Sequence, residues 1–104
     1  MDAQEQAIEA KIQAAGATAP RLTPTLIDAA IKRVQYHQFP GTTLMVCAIT
    51  LQNDFVVTGE AAAASPENFN EDIGKEVAFG KAREKIWALE GYLLRERLAH
   101  GAIV

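Results

Sequence analysis

Lys85-Ile86-Trp87-Ala88-Leu89-Glu90-Gly91-Tyr92-Leu93-Leu94 carries the chain's one tryptophan and one of its two tyrosines. It lies inside the longest segment that reads as a single helix. Upstream, Asn70 can cap that helix, and Glu71 and Asp72 then fall where the positive end of the helix dipole favours carboxylates. No proline follows in the sequence. Gly101 stands where a left-handed residue would stop the helix, with Arg95, Arg97 and His100 in the last turns. A helix over 71–99 is about 43 Å long at ~1.5 Å per residue. A compact domain of about 100 residues has a radius of gyration of about 13 Å. The helix therefore overshoots its own domain. Either it breaks, with Gly80 the natural place, or its projecting part packs on another chain.

The apolar pattern favours the second alternative. At ~100° per residue, Ile73, Val77, Trp87, Leu94 and Leu98 fall on one face, and Ala78, Phe79, Ala82, Ile86, Leu89 and Leu93 on the other. An ordinary surface helix carries one such stripe. Gly80 and Gly91 lie on the Trp87 face, and each costs about 1 kcal/mol against alanine inside a helix. Close approach of another backbone would account for them. The candidate oligomer interface is therefore Gly80, Trp87, Gly91, Leu94 and Leu98. The competing reading sets the two stripes against a small sheet and the N-terminal helices of the same chain.

The rest of the chain supplies those neighbours. Residues 1–22 read as a helix and linker: Asp2 to Ala15 is rich in Ala, Gln and Glu, Asp2 can cap it, and Gly16 can end it. Its apolar side, Ala7, Ile8, Ile12 and Ala15, is thin, and such a helix is marginal alone. Residues 23–104 read as an α+β domain. Thr23-Pro24 is a strong helix start, and the second helix is expected from Pro24 to about Tyr36. His37-Gln38-Phe39-Pro40-Gly41 breaks it. Thr42 to Leu51 is β-branched and apolar and reads as a strand buried on both faces. Gln52-Asn53-Asp54 is a tight turn, since Asn and Asp tolerate the positive φ that hairpin turns need. Phe55 to Glu60 is the return strand, in which Gly59 bulges or admits a close neighbour.

Composition narrows function by exclusion. The chain has 104 residues, a net charge of −3 and a pI near 5.3. A nucleic-acid partner is not expected, since phosphate binders carry a basic surplus. A membrane partner is not expected either, because no apolar run reaches the length of a span. The N-terminus does not have the pattern of a signal peptide. The single cysteine, Cys47, allows no internal disulfide and fits a cytoplasmic setting. It falls inside the expected strand, where it is a core residue rather than a nucleophile. The two histidines, His37 and His100, are far apart in the sequence, and no cluster has metal-ligand spacing. The expectation is a protein that is not an enzyme, with no cofactor and no metal. Arg83, Lys85, Arg95 and Arg97 are expected to pair with glutamates along their own helix. If the chain does bind a ligand or partner, the aromatic and basic groups available are Tyr36, His37, Arg83, Lys85, Trp87 and Tyr92.

Tyr36-His37-Gln38-Phe39-Pro40-Gly41-Thr42, then Gly59-Glu60, Pro66-Glu67-Asn68-Phe69, Ile73-Gly74 and finally Lys85 to Leu94 form an ordered series. Over about Tyr36 to Leu98 the chain resembles a family of small tailed-bacteriophage proteins of unknown function, the gene-product forty-nine/sixty-six type. It departs from that pattern at the hairpin, with Asn53-Asp54 in place of Asn-Gly, and after Glu60, where Ala61 to Ala64 stand in place of a serine and a cysteine. The resemblance implies a phage or prophage origin and a place in the bacterial host cytoplasm, and it implies no activity. The resulting expectation is an α+β fold of two N-terminal helices, a β-hairpin and a long C-terminal helix, assembled as a homodimer or higher oligomer. Its expected role is that of a phage accessory protein acting by binding a host factor. The alternative is an oligomeric sponge for a host nucleotide signal, countering bacterial defence.

Overall fold

The run that reads as a core strand is the middle of the sheet. The computed structural model describes residues 3–17 and 19–101, so the Asp2 cap, Thr18 of the linker and the tail 102–104 lie outside the described residues. Along the chain come α1 (Ala3–Ala14), α2 (Pro24–Ala30), β1 (Ile31–Gln38), β2 (Leu44–Leu51), β3 (Val56–Ala62), one 3-10 turn (Pro66–Asn68) and α3 (Glu71–Ala99). The three strands form an antiparallel sheet in the order β1-β2-β3. This is the expected α+β arrangement of N-terminal helices, hairpin and long C-terminal helix, with a third strand added.

That third strand corrects the expected length of the second helix. The helix starts as read, with the Leu26 amide donating to Thr23 Oγ1 at 3.2 Å and Pro24 in the first turn. It ends at Ala30 rather than Tyr36. Ile31, Val34 and Tyr36 then run beside β2, with Val34 opposite Ile49 and Tyr36 opposite Cys47. Two strands alone would be marginal, and the third pairing outweighs the helical preference of Lys32, Arg33 and Gln35. Gln52 fixes the switch. Its side chain donates to the carbonyls of Ala29 and Ile31, and its backbone amide donates to that of Ala30. These are carbonyls that a helix end leaves without partners.

The hairpin turn falls where it was read. Of its two candidates Asp54 takes the positive φ, at 70°. The Asn53 side chain accepts from the Phe55 amide at 3.0 Å instead, and Asp54 pairs with Lys32 at 2.6 Å.

Alternation along the strands gives the sheet one covered face. Met45, Cys47, Ile49 and Leu51 point at α3 and are buried, as are Val57 and Gly59 on β3. They meet Ala78, Ala82 and Ile86 of α3, and Ile27 of α2 closes the core. On the opposite face Leu44, Val46 and Ala48 are half-buried and Thr50 is buried, so β2 is fully covered on one side and only partly on the other.

The long helix is continuous through Gly80, with 29 residues. The chain measures 51 × 31 × 19 Å with a radius of gyration of 16.3 Å, so it is more elongated than an ordinary domain of its length. The overshoot read from the sequence is present.

Sheet and helix touch at Gly59. A Cβ on that residue would stand 2.2 Å from the Ala78 carbonyl oxygen and 2.4 Å from the Ala82 amide nitrogen. Both are backbone atoms and cannot rotate away. Gly59→Ala is expected to force the helix off the sheet and to cost about 3 kcal/mol, the upper end for overpacking. Urea unfolding checks this, and a loss under about 1 kcal/mol would mean that the helix shifts freely.

Candidate functional site

The charged centre of the molecule is Arg83, which is only 4% exposed. An isolated buried charge is costly and must be paired. Its partners come from other elements, not from its own helix as the sequence suggested. Nε donates to Glu5 Oε2 at 2.8 Å and Nη2 to Glu5 Oε1 at 3.0 Å, a forked contact onto one carboxylate of α1. Nη1 reaches Asp28 Oδ1 of α2 at 2.7 Å, and Nη2 also donates to the Pro24 carbonyl at 3.3 Å. The indole Nε1 of Trp87, one turn along α3, donates to Glu5 Oε2 at 3.3 Å. Burial opposes the Arg83 charge most strongly, but the hydrogen bonds and charges of Glu5 and Asp28 outweigh it, and the guanidinium pKa is raised. A second forked pair holds the other turn of α1: Arg21 donates to both oxygens of Glu9 at 2.7 and 2.8 Å.

Of the six candidate contact residues, only Arg83 and Trp87 are brought together, and Glu5 joins them. Tyr36 and His37 are neighbours on β1 and point to opposite faces of the sheet. Tyr36 lies beneath Lys75, with 5.6 Å from Nζ to the ring centre, while His37 meets Phe39 edge-on at 4.6 Å. Lys85 lines a shallow groove beside Phe55 and Val56. Tyr92 is 71% exposed. Cys47 is buried opposite Tyr36, and burial pushes its thiol pKa up, the reverse of what a nucleophile needs. Among the described residues, no group of three or more His, Cys, Asp or Glu side chains is placed to hold a metal ion.

The candidate interface residues divide. Trp87 packs beneath α1, and Gly80 borders the space between α1 and α3. At Gly91 the nearest side chain is Leu22 of the same chain, 3.8 Å from where a Cβ would sit. Leu94 is half-buried and Leu98 exposed. The other stripe behaves differently. Ala78, Ala82 and Ile86 are sealed by the sheet, but Leu89 and Leu93, next on the same stripe, are 41% and 38% exposed. The helix there reaches the edge of the hairpin, where Leu89 borders Phe55 and Val56, which are also exposed. Glu5, Asp28 and Glu9, which organise the charged centre, were not singled out in the sequence. One signal was there, the spacing Glu5-x-x-Ile8-Glu9-x-x-Ile12, which sets two carboxylates and two isoleucines on one flank of a helix.

The arrangement is that of a small α+β protein with a buried ionic centre and a helix outrunning its sheet. A profile of the phage protein (N4 Gp49/phage Sf6 gene 66) family matches residues 22–98. That span holds α2, the whole sheet and nearly all of α3, and the chain belongs to this family of phage proteins. No curated protein matches the chain, and no solved structure does. No helix among the described residues is long and apolar enough to cross a membrane.

The Glu9–Arg21 pair has a direct signature. The hydrogen bond from Arg21 comes first, that from Gln13 second, and together they outweigh burial and lower the Glu9 pKa from 4.5 to about 2. A carboxylate whose folded pKa is depressed stabilises the fold above its unfolded pKa. The contribution is lost as pH falls from 4.5 to about 2. The Glu9 carboxyl carbon, followed by NMR, should titrate with a midpoint of about 2. In Arg21→Ala the midpoint should return towards the ordinary range; an unchanged midpoint would mean that Arg21 is not the cause.

Arg83→Ala tests the buried centre. It leaves Glu5 and Asp28 facing each other without their cation. Breaking a buried pair costs roughly 3–5 kcal/mol, less here because Asp28 can turn to water, so about 2–3 kcal/mol is expected from urea unfolding.

Proposed function

We propose that the protein is a non-enzymatic phage accessory protein that acts by binding. In this reading it works in the bacterial host cytoplasm as an assembly of identical chains and engages a host factor. One observation carries the reading: the stripe of α3 that the sheet covers at Ala78, Ala82 and Ile86 continues uncovered as Leu89 and Leu93. Beside it lie the exposed side chains of Phe55, Val56 and Tyr92. Contiguous exposed apolar surface of this kind marks a protein–protein contact. A two-fold axis beside the projecting half of α3 would let each stripe meet its copy, an isologous arrangement. The reading as a nucleotide sponge draws no support from the placement of Tyr36, His37, Arg83, Lys85, Trp87 and Tyr92, since they form no common pocket.

Light scattering tests this. At tens of micromolar, on the order of a weak dimer's dissociation constant, the wild-type mass should be a multiple of 11.3 kDa. Leu89→Glu with Leu93→Glu should return it to the monomer without loss of helix signal. A monomeric wild type would remove self-assembly. Host proteins retained by the wild type and released by the double variant would then place the partner on the same patch; equal retention would place it elsewhere.

A further inference from the structure

α1 is attached to the rest of the chain mainly through charge. None of its described residues is buried, and Ile8 is 49% exposed. Spaces of about 270 and 620 Å³ flank its contact with Trp87. The smaller is an apolar slot lined by Ile8, Ile12, Leu22, Pro24 and Trp87. What holds α1 is Glu5 on Arg83 and Trp87, and Glu9 on Arg21. The four groups that face the groove, Glu5, Ile8, Glu9 and Ile12, recur at the spacing of one helix flank.

The receiving wall is built without α1. Asp28 holds Nη1 of Arg83, a nitrogen that Glu5 does not contact, and the Pro24 carbonyl accepts from Nη2. Arg83, Trp87, Leu22 and Pro24 lie within residues 22–98, which the family profile matches, while Arg21 and α1 lie before it. Apart from Arg21, the groove is thus built from the matched span, and α1 is seated in it from outside that span.

We propose that this groove is a docking site for a helix of a partner protein that carries two carboxylates one turn apart beside two aliphatic side chains, and that α1 occupies it as a built-in competitor. The occupant's chemistry is read from α1 itself: carboxylates for Arg83 and Arg21, an indole acceptor for Trp87, and aliphatic groups for the slot. A helix of about 12 residues is marginal alone, so α1 is in place only while docked. A partner helix that is already rigid does not bear that ordering cost. Apparent affinity for the partner then falls by the fraction of molecules in which the groove is open. This inference goes beyond the accessory-binding reading and does not need self-assembly, since it concerns the opposite flank of α3.

The probe is a labelled, end-blocked peptide of residues 3–14. It is titrated into the full-length wild type and into full-length Glu5→Lys/Glu9→Lys, whose own α1 is repelled by Arg83 and Arg21. The variant should bind the peptide at least about tenfold more tightly than the wild type, because its groove is open. A peptide with both glutamates changed to glutamine should bind at least about tenfold more weakly, since it lacks the charge-assisted bonds. Emission from Trp87, the only tryptophan, should move when the peptide seats. Equal binding to both proteins, no binding to the variant, or equal binding of the glutamine peptide would overturn the proposal. If the variant loses its circular dichroism, hydrogen exchange on the wild type decides. In about 0.5 M salt, which screens exposed pairs, α1 amides should exchange at least about a hundredfold faster than those of 78–86. Equal protection would show α1 to be a fixed part of the fold.

Discussion

The structure depends on how closely α3 can approach the sheet. Gly59 on β3 faces the peptide units around Ala78 and Ala82, and the missing side chain lets the two backbones touch. With small residues on the helix and none on the strand, Met45, Cys47, Ile49 and Ile86 fill the remaining volume and are all buried. At this separation dispersion contacts are dense, and a void or an extra methyl group is felt at once. The approach also decides where the core ends. At the hairpin turn the sheet comes to its end: Leu89 only borders Phe55 and Val56, and Leu89 and Leu93 emerge half-exposed.

The other flank of α3 is arranged by charge rather than shape. Trp87 and Arg83 occupy positions that an apolar core could have filled, and the Arg83 cation is satisfied by carboxylates from two separate helices. Such an arrangement specifies geometry more than it adds stability, since desolvation consumes most of the attraction. It ties α1 and α2 to one point on α3 and leaves α1 otherwise lightly held. The molecule thus has a closely packed half, the sheet with the first part of α3, and two lightly covered surfaces, the Leu89–Leu93 stripe and the seat of α1.

Much of this was legible in the residues. Thr23-Pro24, Asn70 and Gly101 punctuate the helices as read, because caps and left-handed stops are local chemistry. Gly59 was visible as a place of close approach, since a glycine in a strand interior needs a reason. The strand at 31–38 was not legible. Ile31, Val34 and Tyr36 suit a helix face or a strand edge equally, and the choice is made by β2, which lies across the sheet. The charged centre was hidden for a related reason. Arg83 sits on a helix rich in glutamates, but Glu76, Glu84 and Glu90 lie seven, one and seven positions from it and none has the three- or four-residue spacing that pairs side chains; its carboxylate partners lie 78 and 55 positions away in the chain. The covering of Gly91 by Leu22 depends likewise on the linker's path, which no local pattern records.

On the proposal that a second copy of the chain covers the end of α3, the protection of that end depends on assembly. Amide hydrogen exchange resolved along residues 71–99 tests this most directly. A projecting helical end with no tertiary cover frays. If a partner copy covers it, protection of residues 90–99 should rise steeply between about 5 and about 500 µM protein, while that of 78–88 stays constant, as mass action requires. Fast exchange of residues 90–99 at every concentration, with 78–88 protected throughout, would contradict the account and leave the end of α3 a free helix.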